Sequence, residues 1–266
     1  MVRRLRLDAE LVRRQLARSR EQAGELIEAG RVQVRGTVAT KAATGVEQDT
    51  PIRVLTDAGD PGYASRGGHK LAGALATFDA LQVGGRRCLD AGASTGGFTD
   101  VLLRHGAREV VAVDVGYGQL VWALQNDPRV VVRDRTNVRT LTPDQIGGPA
   151  DLTVADLSFI SLGLVLPALA ACTVTDLVPM VKPQFEVGRQ RLGRGGVVRE
   201  PELRAEAVLA VARTALELGW GTAGVARSPL PGPSGNVEFF LWLRQDAGPA
   251  DQAAVAAVCA DAGEIA

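Results

Sequence analysis

From about residue 70 onward the chain alternates apolar runs of strand length with stretches of helical spacing, and this alternation limits the fold more than any other feature. Strand-like runs fall near 87–91, 109–114, 129–133, 151–156 and 177–182. Helical spacing fills 70–80, 98–105, 117–125 and 161–171. Strands joined through helices pair in parallel and bury both faces. The expected core is therefore α/β, a doubly wound sheet with ligands at the carboxyl ends of its strands. A helix at 202–218 and strands at 220–227 and 237–243 follow, the last two separated by "SPLPGPSGN". These two strands predict a hairpin that adds an antiparallel edge strand. The 266 residues leave room for this domain and a smaller one.

The smaller unit is legible in "LDAELVRRQLARSREQAGELIEAGRVQVRG", residues 7–36. A first helix over 8–16 carries Leu11, Val12 and Leu16 on one face, and a second over 20–29 carries Ala23, Leu26 and Ile27. Ser19 with Gln22 reads as a capping box, Gly30 as the C-cap, and "RVQVRG" as a strand. "TPIRVLTD" closes the unit near residue 57, and "DAGDPGYASRGG" is Gly/Pro-rich like a linker. The predicted division is 1–59, a linker at 60–66, a main domain over 67–246 and a tail at 247–266 that forms a loosely held helix. Net charge is zero, yet residues 1–35 hold nine arginines against five acids. Such a basic face is either merely solvated or made for RNA or DNA.

Three scattered cysteines without a C-x-x-C pair exclude a disulfide scaffold and fit a reducing cytoplasm. With two histidines, no metal site is expected. The N-terminus lacks an apolar h-region, so it is not a secretory signal. Leu157 to Thr175 is uncharged over nineteen residues, enough to span a bilayer, but Pro167 interrupts it and aspartates flank it. It is expected to be buried protein, without stable membrane association.

The chemistry centres on "CLDAGASTGGFTDVLL", Cys88 to Leu103. A dinucleotide loop needs glycine where Ser94 stands, and a P-loop needs a lysine that is missing. Asp90 beside the turn would repel a pyrophosphate and favour a cation. S-adenosylmethionine is such a ligand, with a sulfonium, an ammonium and an adenosine. The expected donor site is Asp90, the turn Gly92, Ala93, Ser94, Thr95, Gly96, Gly97 and Phe98, then Asp114 for the ribose hydroxyls and Asp134 for the adenine amino group.

The fourth strand ends in "ADLSFIS" instead of an N/D-P-P-Y/F pattern, and there is no Pro-Cys dipeptide. Asp156, Lys182 of "VKPQFE", Glu238 of "SGNVEFF" and Lys70 of "SRGGHK" all fall at strand or helix ends. Two lysines and two carboxylates on one rim suit a hydroxyl that must lose its proton during attack. Lys182 is the expected central group, as base or as the cation that steadies the alkoxide. Lys70 would tune it, and Asp156 and Glu238 would orient the pair.

Residues 8–36 resemble the S4 RNA-binding domain, which implies RNA as partner and Arg4, Arg6, Arg18, Arg20 and Arg66 as its contacts. Residues 64–244 are similar to the FtsJ-type ribose 2′-O-methyltransferases, whose Lys-Asp-Lys-Glu tetrad matches Lys70, Asp156, Lys182 and Glu238. With "DAGASTGGFTD", "ADLSFISL", "VKPQFEVG" and "PLPGPSGNVEFFLWL", the whole chain resembles the TlyA (hemolysin A) family. The resemblance implies a Rossmann-like class I methyltransferase fold behind a small α+β domain. It also implies cytidine 2′-O-methylation of ribosomal RNA in one or both ribosomal subunits, and a link to capreomycin sensitivity. The rival readings are a membrane-active hemolysin and a non-catalytic, S4-tethered ribosome-binding factor.

Overall fold

The computed structural model describes residues 4–14, 16–17, 20–55, 61–232 and 234–260, with the backbone alone for Glu21, Glu25, Arg189 and Arg194. Arg18 and Ser19, and with Ser19 the capping box, lie outside the described residues. The chain divides into two compact units, Met1–Gly62 and Tyr63–Ala266.

In the first unit β1 (Leu5–Arg6) pairs antiparallel with β4 (Gly45–Val46). Helices α1 (Leu7–Arg13) and α2 (Arg20–Glu28) accompany a small sheet ordered β3-β2-β5, made of β2 (Val32–Val34), β3 (Thr37–Val38) and β5 (Ile52–Val54). Leu7, Leu11, Ala17, Ala23, Ile27, Val32, Ala39 and Val46 form its core. The first helix is shorter than its apolar spacing predicts. It stops at Arg13, and the N–H groups of Leu16 and Ala17 both turn back to the Leu11 carbonyl. This turn puts Ala17 into the core and leaves Leu16 37% exposed. Gly30 follows the second helix at φ +67°, a conformation that costs glycine least.

The second unit is a seven-stranded sheet between two helical layers. Its strands are β6 (Arg87–Ala91), β7 (Glu109–Val113), β8 (Val130–Arg133), β9 (Ala150–Ala155), β10 (Thr173–Val181), β11 (Gly221–Arg227) and β12 (Phe239–Arg244), ordered β11-β12-β10-β9-β6-β7-β8. From β10 to β8 every pairing is parallel. The antiparallel strand is β12, and it is not at the edge: it fills the gap between β10 and β11. The physical reason is visible in composition. "FFLWL" at 239–243 is buried on both faces, whereas "GTAGVAR" of β11 is partly exposed and can end the sheet.

Alternate residues along the strands face opposite layers. Leu89, Ala91, Val111 and Val113 pack with α6 (Leu166–Ala171), α8 (Pro201–Glu217) and α9 (Gln252–Ala260), while the short α7 (Pro183–Glu186) follows β10. Cys88, Val110, Ala112 and Val154 pack with α3 (Gly67–Thr77) and α4 (Gly97–Arg104). The C-terminal helix α9 is no loose tail: Val255 and Cys259 are each 1% exposed within the main core. Ser65 and Arg66, predicted as linker, lie in the second unit at the start of α3. The 117–125 stretch yields only the short helix α5 (Trp122–Gln125). The uncharged run from Leu157 breaks into a loop, a 3-10 turn at Leu162–Leu164, α6 and the start of β10. Among the described residues no helix is long and apolar enough to cross a membrane.

Candidate active site

The order of strands reverses at β6, which has β7 on one side and β9 on the other, so the crevice for a ligand opens beyond these carboxyl ends. The chain leaves β6 through residues 92–96 into α4. Gly92 and Gly96 have φ of +91° and +98°. A side chain at Gly92 would collide with the Asp156 carbonyl, and one at Gly96 with Leu120 and Leu124. At Gly97 it would strike Ser65. These glycines are therefore required by the protein's own close packing as well as by any ligand's approach. Ser94 is exposed and Gly92 and Thr95 are half-buried. Ala93 and Phe98 turn inward instead: Phe98 is 4% exposed, its ring 6.0 Å from that of Phe240. Of the predicted donor contacts, these two side chains belong to the core.

The three acids take distinct places. Asp90 is fully buried, not exposed at the mouth of the loop. Its Oδ2 accepts a 2.7 Å bond from the Thr99 hydroxyl, while Oδ1 has no partner. Burial, above all, pushes its carboxyl up to about 7; Thr99 opposes the rise, and the nearby Asp156 and Asp114 add to it. Asp114, just past β7, accepts N–H bonds from Ser94 at 2.8 Å and Gly116 at 2.7 Å. Asp134, just past β8, accepts from the Gly118 N–H at 2.9 Å. An unpartnered buried carboxylate oxygen, with two more acids at the ends of the adjacent strands, suits a ligand carrying positive charge and hydroxyls. The donor set thus fits S-adenosylmethionine, with Asp90, Ser94, Thr95, Asp114 and Asp134 as the side chains that would hold it.

The four rim residues form two ion pairs. Lys70, 7% exposed on α3, meets Glu238 at 2.5 Å. Lys182, 8% exposed, meets Asp156 at 2.7 Å and donates to the Ser158 hydroxyl at 2.8 Å. Sheet register brings them together. Val181 pairs with Phe239 and Pro179 with Ala155, so Lys182, Glu238 and Asp156 stand at adjoining strand ends. Glu238 Oε1 is buried without a partner beside Gly232.

Three supporting side chains escaped sequence reasoning, although each lies inside a motif already singled out. Ser158 is the second partner of Lys182. Thr99 anchors Asp90. Asn236, 2% exposed, accepts from the Val198 N–H and donates to the Gly196 carbonyl, fixing the loop that leads into Glu238. For Thr99 and Ser158 the signal is a small polar residue set against a charge, and for Asn236 an amide that bonds the backbone of a distant loop; both become legible only once the strands are aligned. Phe159 is a further surprise: it is 91% exposed at φ +65°, with its ring 5.4 Å from that of Phe185. An exposed aromatic in the left-handed region is a strained arrangement of the kind that collects at functional sites.

In the first unit Arg6 and Arg20 both pair with Asp8, and Arg4 meets Glu47 at 3.4 Å. Arg66 is exposed at the foot of α3 in the second unit. Among the described residues no cluster of His, Cys, Asp and Glu could hold a metal ion.

A doubly wound sheet whose acid-flanked turn fits S-adenosylmethionine, with two lysine–carboxylate pairs on the same rim, defines the class as a methyltransferase dependent on that donor. Residues 63–245 match the FtsJ-like methyltransferase model and residues 5–52 the S4 domain model. The chain belongs to the FtsJ-like methyltransferases and, among them, to the S4-bearing TlyA family. It is 65% identical over 246 residues to the 16S/23S rRNA (cytidine-2′-O)-methyltransferase TlyA of Mycobacterium tuberculosis, covering 92% of this chain and 91% of that one. It is 35% identical to Hemolysin A of Brachyspira hyodysenteriae, over 89% of this chain and 98% of the relative. A solved structure from Streptococcus thermophilus superposes with a TM-score of 0.79 at 38% identity, covering 100% of this chain and 98% of the other.

Proposed function

We propose that the protein transfers the methyl group of S-adenosylmethionine to the ribose 2′-hydroxyl of a cytidine in ribosomal RNA, within the 16S rRNA, the 23S rRNA or both. The observation that carries this reading is the Lys182–Asp156–Ser158 cluster, at 2.7 and 2.8 Å, beside the Lys70–Glu238 pair at the carboxyl rim of the sheet. A ribose hydroxyl is a poor nucleophile: Lys182 as the ammonium steadies the developing alkoxide, while as the free amine, its own proton first released to solvent, it takes the hydroxyl proton. The bound donor supplies the electrophilic methyl group. Asp156 and Ser158 fix the Lys182 amine, and Glu238 fixes Lys70 as a second cation. Exposed Phe159, near this cluster through its neighbour Ser158, offers a ring on which a base taken out of its stack can rest. A ribosomal RNA substrate agrees with a cytoplasmic site of action and with the 65% identical relative, a 16S/23S rRNA (cytidine-2′-O)-methyltransferase. The test is methylation of purified 30S and 50S subunits with labelled donor, followed by mapping. One or a few cytidine 2′-O-methyl groups are predicted; methyl groups on bases, or none in either subunit, would refute the reading.

A further inference from the structure

The arginines of the first unit are held by acids in two different ways. Arg14, whose side chain is 21% exposed, spends its N–H groups on Glu10 and on the Thr50, Glu47 and Gln48 carbonyls. It staples the fold. Arg6 and Arg20 differ. Arg6, at the end of β1, donates from Nε and Nη2 to both oxygens of Asp8, each at 3.0 Å. Arg20, the first residue of α2, donates from Nε and Nη2 to Oδ2 of the same carboxylate at 3.3 and 2.9 Å. Asp8 is 5% exposed and fixed by the Ala9 N–H at 2.9 Å in the first turn of α1, where a negative charge is favoured. The side chains it grips remain 52% and 60% exposed.

We propose that Asp8 is a positioning residue for RNA binding, clamping Arg6 and Arg20 into one two-guanidinium fork shaped for a backbone phosphate. This rests on the reading of the first unit as the RNA-binding module. A guanidinium has five N–H groups in a rigid plane, and each of these arginines gives two to Asp8, leaving the rest for an acceptor outside the protein. A free arginine loses side-chain freedom when it grips a phosphate; one already held has lost it on folding. The carboxylate reduces the net charge of the surface yet makes the remaining donors converge from two elements.

Charge and clamp predict opposite signs. Asp8→Asn makes the face more positive, so charge alone predicts tighter binding to RNA; the clamp predicts weaker binding. The experiment measures affinity of the full-length protein for purified 30S and 50S subunits across a salt series. Asp8→Asn is expected to bind about tenfold more weakly with an unchanged salt slope, since no cation is lost. Arg6→Lys with Arg20→Lys keeps both charges at exposed positions and is expected to lose affinity by a similar factor, which carries the test if Asp8→Asn fails to fold. Wild-type or tighter binding by a folded Asp8→Asn, or wild-type binding by the double lysine variant, overturns the clamp. Arg6→Glu with Arg20→Glu separates the two failures. If it binds like wild type, the RNA reading of this surface falls; if it binds weakly while Asp8→Asn tightens, only the clamp falls.

Discussion

Both units join cations to acids, but with opposite burial. In the first unit the carboxylates of Asp8 and Glu10 are hidden while Arg6, Arg13 and Arg20 face solvent. At the rim of the second unit Lys70, Lys182 and Glu238 are all buried and Asp156 is half-buried. The difference separates recognition from chemistry. An exposed, pre-oriented guanidinium can meet a phosphate without leaving its acid, and salt will screen it. A buried lysine acts where water is scarce and electrostatic effects are large, but only on an atom delivered to it.

The comparison breaks most easily at Lys182. Lys182→Ala should lower the single-turnover methylation rate by on the order of 10³-fold, with donor and subunit affinities retained. Lys182→Arg sharpens it, because guanidinium keeps the charge and cannot take a proton. Recovery of most activity in the arginine variant assigns Lys182 to alkoxide stabilisation, and failure to recover assigns it to proton removal.

Asp90 is the second point of attack. Its carboxyl is raised from 3.8 to about 7, so its contribution to stability is present in full below about pH 4 and lost as pH rises through 7. At about 1.4 kcal/mol per pH unit the loss is roughly 4 kcal/mol at most. Asp90→Asn should therefore melt higher than wild type at pH 8 without donor and match it near pH 4, while binding S-adenosylmethionine more weakly. Equal melting temperatures at pH 8 would refute the raised carboxyl, and unchanged donor affinity by calorimetry would remove Asp90 from the donor site. Asp114→Ala should cost about 1–3 kcal/mol of donor affinity, since the ribose and two backbone N–H groups lose an acceptor together.

Reversal of Arg4, Arg6 and Arg20 to glutamate should weaken subunit binding and make its salt dependence shallower by about two or more in the log–log slope, with donor affinity unchanged. A parallel loss of donor affinity would end the separation of roles. An effect of the same size as that of Asp114→Ala, about 1–3 kcal/mol but in kcat/KM, is assigned to Phe159→Ala through the loss of a stacked target base. No change in kcat/KM would leave the exposed ring without that role.

Much of this was readable in the chain because local rules and the fold agree. The parallel strands follow from apolar runs separated by helices, and Asp156, Lys182 and Glu238 fall at strand ends in the sequence as in the structure. The misreadings have physical causes. The order of strands depends on burial: "FFLWL" demanded an interior position that chain order alone did not convey. Leu16 kept helical spacing, yet the chain had already turned at Arg14. The sequence places Asp90 beside the turn, but period-two alternation does not tell which layer a strand residue meets; α4 covers it and Thr99 binds it. The pairing of Lys70 with Glu238 spans 168 positions and arises only from packing α3 against the end of β12.

The division between recognising and reacting cations is tested most directly by single-turnover methylation of the subunit substrate at increasing enzyme concentration, comparing Arg6→Glu/Arg20→Glu with Lys182→Ala. The arginine variant should reach the wild-type rate once binding is saturated, and Lys182→Ala should remain slow at every concentration. An arginine variant that stays slow at saturation, or a Lys182→Ala enzyme that recovers, would contradict the account.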